Sequence, residues 1–233
     1  MFITQQGLAE SRERAQALII AGKVRVAGET VRRPDRPVAD GTPVTVDAGP
    51  AYASRGALKL MPALDAFGVD PAGRVCADIG ASTGGFTDVL LRRGAARVYA
   101  LDVGRGLLHW RLRQDPRVVV IERTNARDMD RFPEPVSLVV IDVSFIGLEK
   151  VLPSVRLAAP GAEIVALFKP QFQVERGSVG KGGIVREEAA VEAALRRFRD
   201  WCAGSGFDVV AEAPSELPGT DGNREIFVHL VAG

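Results

Sequence analysis

The sequence predicts an α/β protein, a mostly parallel sheet covered by helices on both faces and preceded by a small α+β unit. Three observations predict it. Five short runs rich in valine and isoleucine, RVCADIG, ARVYALDV, RVVVIE, VSLVVIDVS and AEIVALF, succeed one another between Arg74 and Phe168. Helical patterns such as GGFTDVLLRRG and LEKVLPSVRLA separate several of them, and strands that are apolar throughout need cover on both faces. Residues 1–48 have a different texture, short and locally basic, which marks a second unit.

The 233 residues suffice for one good-sized core with a small appendage. Hydrophobic content of 46% and charged content of 25% belong to globular rather than disordered chains. No apolar stretch approaches a membrane span, since even SLVVIDVSFIGL carries Asp142, and the N-terminus lacks the apolar centre of a signal peptide. Cys76 and Cys202 show neither metal-ligand spacing nor a disulfide framework, so no metal is expected and a reducing cytoplasm is the expected location. With a net charge of +1, any nucleic-acid contact depends on local clustering.

In chain order, LAESRERAQALIIAGK reads as a helix with Ser11 as N-cap and Gly22 as its stop. VRVAGETV reads as a tight hairpin, followed by the loop RRPDRPVADG and a strand TPVTVD. Here Lys23, Arg25, Arg32, Arg33 and Arg36 stand against Glu29 and Asp35, with Arg12 and Arg14 ahead of them. Arginines near a turn suit phosphate contacts, although a solvated surface explains the same residues. Residues 49–53 read as a linker to a domain spanning 54–233. Around SRGALKL a helix would put Arg55 and Lys59 on one face, with Pro62 disturbing its backbone bonds. After the five strands come a last helix, REEAAVEAALRRFRDWCAGSG, and two strands, FDVVAEAPS and REIFVHLVA, that can pair as an antiparallel edge.

The turn VCADIGASTGGFTDVL joins the first strand of the sheet to its first helix. Gly80, Gly84 and Gly85 permit tight turns and close ligand approach beside free helical N–H groups. The spacing Asp78-x-Gly80-x-Ser82-x-Gly84-Gly85 is not the G-x-G-x-x-G of dinucleotide sites. An acid two residues ahead of the first glycine suits a positive amino group, such as that of S-adenosylmethionine. Asp102, ending the second strand, stands where a carboxylate accepts ribose hydroxyls, and Asn125 and Arg127 follow the third strand, where an adenine would sit. An S-adenosylmethionine site is therefore expected on Asp78, Gly80, Ser82, Gly84, Gly85, Phe86, Asp102, Asn125 and Asp142.

Asp142 ends the fourth strand and Lys169 the fifth. Ligands of open parallel sheets sit beyond the carboxyl ends of the strands, so both should face one crevice. A lysine is costly to bury, and Pro170 fixes the direction in which Lys169 leaves its strand.

Together, AESRERAQALIIAGKVRVAGETV, SRGALKL, ADIGASTGGFTDVLL, ALDVGRGLLHWRLR, IDVSFIGL, LFKPQF, VGKGGIVRE and GNREIFVHL resemble the TlyA-type RNA methyltransferases, often labelled hemolysin A. These share their catalytic domain with the FtsJ-type ribose methyltransferases. The resemblance implies a Rossmann-like class I methyltransferase with a seven-stranded sheet, and a small RNA-binding module of ribosomal-protein type at the N-terminus. It implies a catalytic set of Lys59, Asp142, Lys169 and Glu225. It also implies 2′-O-methylation of cytidines in small-subunit ribosomal RNA, large-subunit ribosomal RNA or both, with ribosomal RNA or ribosomal subunits as partners. Members usually carry an Arg-Leu-Asp segment and an apolar helix ahead of GLAESRERA, so either the first helix of the module is expected to be incomplete here or translation is expected to start upstream of Met1.

Methyl transfer from a sulfonium to a hydroxyl asks the protein to align the groups and manage one proton. Lys169 serves either as a neutral base or as a charged stabiliser of the developing alkoxide, and the sequence leaves both open. Arg12, Arg14, Lys23, Arg25, Arg32, Arg33, Arg55 and Lys181 are the expected RNA contacts. The stretch QVERGSVGKGGIVRE, with Arg176, Gly177, Gly180, Gly182 and Gly183, reads as a lid, an RNA-contacting loop or a plain connector. A membrane-active hemolysin would need a span or a strongly amphipathic segment, which is not visible. A non-catalytic RNA-binding or assembly factor would not need Lys169.

Overall fold

The computed structural model describes every residue other than 1, 10, 40, 48–51, 175–178, 220 and 233; the side chains of Arg14 and Lys181 also lie outside the description. Part of the expected linker, along with Arg176 and Gly177, therefore falls outside the described residues. The chain divides into two compact units, Met1–Ala51 and Tyr52–Gly233.

The smaller unit holds α1 (Phe2–Gln5), α2 (Arg12–Ile20), β1 (Val24–Val26), β2 (Glu29–Val31) and β3 (Val44–Val46). The strands lie in the order β2-β1-β3, antiparallel throughout. The hairpin expected at VRVAGETV turns on Ala27 and Gly28, both at positive φ (50 and 84°), the two-residue turn whose twist matches that of its strands. Its core is built from Ile3, Ala15, Leu18, Ile19, Val24, Val26 and Val31.

The larger unit begins with α3 (Ala57–Phe67), followed by β4 (Val75–Ile79), α4 (Gly85–Arg92), β5 (Arg97–Asp102), α5 (Trp110–Arg113), β6 (Val118–Glu122) and β7 (Leu138–Ile141). It continues through α6 (Leu152–Ala158), β8 (Glu163–Phe168), α7 (Glu188–Gly204), β9 (Phe207–Pro214) and β10 (Ile226–Ala232). All five apolar runs are strands, and the seven-stranded sheet runs β6-β5-β4-β7-β8-β10-β9. β4 to β8 are parallel, and β10 pairs antiparallel with both β8 and β9. The expected antiparallel pair forms, but β10 lies inside the sheet and β9 is its edge.

Period two divides the sheet into its two faces. Ala77, Ile79, Val139, Ile141, Ile164, Ala166 and Phe168 pack with α6 and α7. The alternate residues Cys76, Val98, Ala100, Leu138, Val140, Val165, Leu167 and Phe227 pack with α3 and α4. At ~25 cal/mol per Å² of apolar surface removed from water, this double cover is the main stabilising term. Arg55 does not share a helix face with Lys59. Ala57 and Leu58 donate to the carbonyls of Ser54 and Arg55 three residues back, a tighter winding that leaves Arg55 ahead of the helix. No helix among the described residues is long and apolar enough to cross a membrane.

Candidate active site

The alternation that builds the core also gathers the polar residues. Asp78, Asp142 and Lys169 continue the series Cys76, Leu138–Val140 and Val165–Leu167, so they belong to the face covered by α3 and α4. Glu225 stands two residues before Phe227 on that face, and the register Ile226↔Phe168 puts it beside Lys169 one step further along. α3 supplies Lys59. The cavity there has a volume of about 690 Å³, and its lining includes Ser54, Arg55, Lys59, Asp78, Gly80, Ser82, Gly85, Phe86 and Asp142.

Two lysine–carboxylate pairs each put one member in that lining, Lys59 and Asp142, while their partners Glu225 and Lys169 stand behind it. The Lys59 Nζ lies 2.6 Å from the Glu225 Oε2, the carboxylate being almost wholly buried. The Lys169 Nζ lies 2.5 Å from the Asp142 Oδ1 and donates to the Ser144 Oγ at 3.0 Å. Each ammonium, buried for Lys169 and half-buried for Lys59, thus has an anion beside it, which offsets the cost of leaving water.

Between β4 and β7 the chain order reverses, and here the glycine loop crosses the strand ends. Gly80, at φ 84°, passes so close to Asp142 that a Cβ would stand 2.3 Å from the Asp142 carbonyl oxygen. A Cβ on Gly85 would stand 2.2 Å from the Ser54 Oγ and 3.0 Å from the Ala57 nitrogen. α3 and α4 therefore begin side by side, each on a glycine and without a side-chain cap. Their free N–H groups favour negative charge at that end.

Asp78 is fully buried. Its Oδ2 accepts from the Thr87 N–H at 2.8 Å and the Thr87 hydroxyl at 2.6 Å, while its Oδ1 has no partner among the described residues. Burial pushes its pKa up to about 7, and the carboxylates of Asp142 and Asp102 add to the rise, against the Thr87 bonds.

Other expected residues lie elsewhere. Asp102 ends β5 outside the cavity lining, with its oxygens accepting from the Ser82 and Gly104 N–H groups at 2.8 and 2.7 Å. Asn125 caps a short 3₁₀ turn by accepting from the Arg127 N–H at 3.1 Å. In the smaller unit, Lys23 pairs with Asp47 and Arg33 with Asp35. Arg12, Arg25 and Arg32 make no ion pair among the described residues, and all three are exposed.

Sequence reasoning missed several residues that touch these groups or stand beside them. Thr87, in the first turn of α4, is legible in hindsight as the nearest hydroxyl to Asp78. Asp88, also buried, accepts from the Ala53 N–H, Arg92 and Arg111, each at 2.8 Å, and so seats the chain ahead of Ser54. Phe145, next to Ser144, is 91% exposed, holds a left-handed backbone at φ 65°, and has its ring 5.2 Å from that of Phe172. Non-glycine strain of this kind persists where the surroundings impose it, often at functional sites.

A parallel sheet with one reversed strand, a glycine loop at its switch point and strand-end lysines and acids define a Rossmann-like methyltransferase. The FtsJ-like methyltransferase family matches residues 52–232, and the S4 domain matches residues 1–44. The chain belongs to the FtsJ-like methyltransferase family. It is 50% identical, over 98% of its length and 87% of the relative's, to the 16S/23S rRNA (cytidine-2'-O)-methyltransferase TlyA of Mycobacterium tuberculosis H37Rv. It is 41% identical to Hemolysin A of Brachyspira hyodysenteriae, over 99% of this chain and 98% of that one. A solved structure from Streptococcus thermophilus, named as a candidate hemolysin, superposes with a TM-score of 0.76 at 41% identity, covering 99% of this chain and 86% of that one.

Proposed function

We propose that this protein is an S-adenosylmethionine-dependent 2′-O-methyltransferase of cytidines in ribosomal RNA. The observation that carries the reading is that Lys59, paired with Glu225, and Asp142, paired with Lys169, line one cavity beside the glycine loop, the four residues coming from distant segments. The M. tuberculosis relative bears that activity in its name. The donor supplies an electrophilic sulfonium methyl when bound. The residues present suit its amino-acid end: the unpartnered Asp78 Oδ1 takes an ammonium, while Ser54 and the uncapped starts of α3 and α4 take a carboxylate.

Lys169, as an ammonium, orients the ribose hydroxyl, and the hydroxyl proton passes to the Asp142 carboxylate as the oxygen–methyl bond forms and the methyl–sulfur bond breaks to leave a neutral thioether. Lys59, held by Glu225, places a second positive charge where the alkoxide develops. Phe145 offers an exposed ring on which an unstacked base can lie. The smaller unit binds RNA through phosphates, with Arg12, Arg25 and Arg32 as its available cations. Residues 1–48 act as the RNA-binding domain, 49–53 as the linker and 54–233 as the catalytic domain.

The test is incubation of the purified protein with labelled methyl donor and separate small and large ribosomal subunits or their naked RNA, followed by mapping of ribose methylation. Label on cytidine 2′-oxygens, abolished in Lys169→Ala, supports the reading. Label on bases alone, or none on any RNA, overturns it.

A further inference from the structure

Asn223 is only 1% exposed although it lies in the loop between β9 and β10. Its side-chain amide spans two backbone groups of a remote segment. Oδ1 accepts from the Val185 N–H at 2.9 Å, and Nδ2 donates to the Gly183 carbonyl at 2.8 Å. A primary amide carries acceptor and donor together, as a peptide unit does, so Asn223 takes the place of a neighbouring strand. On the remote side the segment is a closed turn. The Gly180 N–H donates to the Ile184 carbonyl at 3.0 Å and the Gly183 N–H to the Gly180 carbonyl at 3.1 Å. On the near side, the Asn223 carbonyl accepts from the Gly219 N–H at 2.9 Å. Gly219 in turn lies against the catalytic carboxylate, since a Cβ on it would stand 2.6 Å from the Glu225 Oε1. Leu217, Pro218, Gly219 and Gly222 form one wall of the cavity. One buried side chain thus joins the glycine turn, the cavity wall and the carboxylate that meets Lys59.

We infer that Asn223 is a positioning residue that fastens the Gly180–Val185 turn to the cavity wall and thereby holds Glu225 against Lys59, so that turn and wall behave as one unit beside the site. This rests on the methyltransferase reading above and adds to it the residue that sets one side of the site. The amide cannot be replaced simply. Alanine leaves the Val185 N–H and the Gly183 carbonyl without partners, and aspartate keeps the acceptor but cannot donate.

The experiment compares the full-length wild type with Asn223→Ala and Asn223→Asp by hydrogen exchange read by mass spectrometry, and by the kinetics of methyl transfer from labelled S-adenosylmethionine to ribosomal RNA. In Asn223→Ala, exchange should quicken about tenfold or more at residues 180–185 and 217–222 together, with β4 and α4 unchanged. The kcat should fall about tenfold or more while KM for the donor shifts less than about threefold. Asn223→Asp should show the same pattern at smaller amplitude, and it carries the comparison if the alanine variant does not fold. Quickened exchange confined to 180–185, a folded variant with wild-type kcat, or a change in KM alone would overturn the inference. A wild-type chain that transfers no methyl group would defeat the proposed function instead, and the exchange comparison would still decide the fastening.

Discussion

Asp78 shows how one buried carboxylate ties affinity and stability to pH in opposite directions. Burial first, then its acidic neighbours, lift its pKa from 3.8 to about 7. A folded value above the unfolded one means stability that is complete below the unfolded value and lost as pH rises through the folded one, here between 3.8 and about 7. Asp78→Asn should flatten that decline, which thermal melts across the range would read. An ammonium ligand needs the ionised acid. Donor affinity should therefore rise with pH up to about 7 and then level, with proton release on binding below that point. Calorimetric titration in buffers of different ionisation enthalpy checks this, and an affinity independent of pH would remove Asp78 from the ligand. Lys169→Ala should lower kcat by roughly 10²- to 10⁴-fold, the usual span for a group acting at a proton transfer, with donor affinity retained.

Among the elements, the close start of α3 beside α4 has the sharpest consequence. Gly85→Ala would drive a methyl into the Ser54 Oγ at 2.2 Å and part the two helices. Methyl transfer should fall roughly 100-fold, as misplacements near 1 Å do, while circular dichroism stays that of a folded chain. The strands were legible because apolar runs of valine and isoleucine leave few other structures, and the glycine loop because its turns and close approaches admit little else. The same reasoning expected Asp142 and Lys169 in one crevice, since strand ends in a parallel sheet share a side; the two meet at 2.5 Å, with Asp142 alone of the pair in the cavity lining. The Lys59–Glu225 pair lay beyond local pattern, its partners being 166 residues apart, and was expected only from resemblance. Period two does carry a signal, because Glu225 and Phe227 must face the same way once REIFV is a strand. The insertion of β10 inside the sheet, the burial of Asn223 and the tight turn ahead of α3 depend on tertiary packing, which no short window of sequence encodes.

Across the whole molecule, charge is balanced by pairing as much as by composition. With a net charge of +1 and Lys23, Arg33 and Arg36 held by acids, the proposed phosphate contacts of the smaller unit fall to the few cations without an ion pair among the described residues. Replacing Arg12, Arg25 and Arg32 with serine should weaken RNA binding at every sequence and make its salt dependence shallower by about one unit of slope for each phosphate no longer neutralised. Filter binding across a salt series reads this, and donor affinity should be unmoved. The strand order bears on how such a chain is made. β10 lies between β8 and β9, yet it follows both in the chain. A nascent polypeptide emerging from the ribosome thus carries a gap in its sheet, with the β8 edge bare, until residues 226–232 are out. Glu225 arrives with them, so the lysine of α3 waits for its counter-ion through most of synthesis. A premature stop before β10 would yield a chain with an open edge prone to cross-pairing, and methylation should begin only after that closing strand has slid into place.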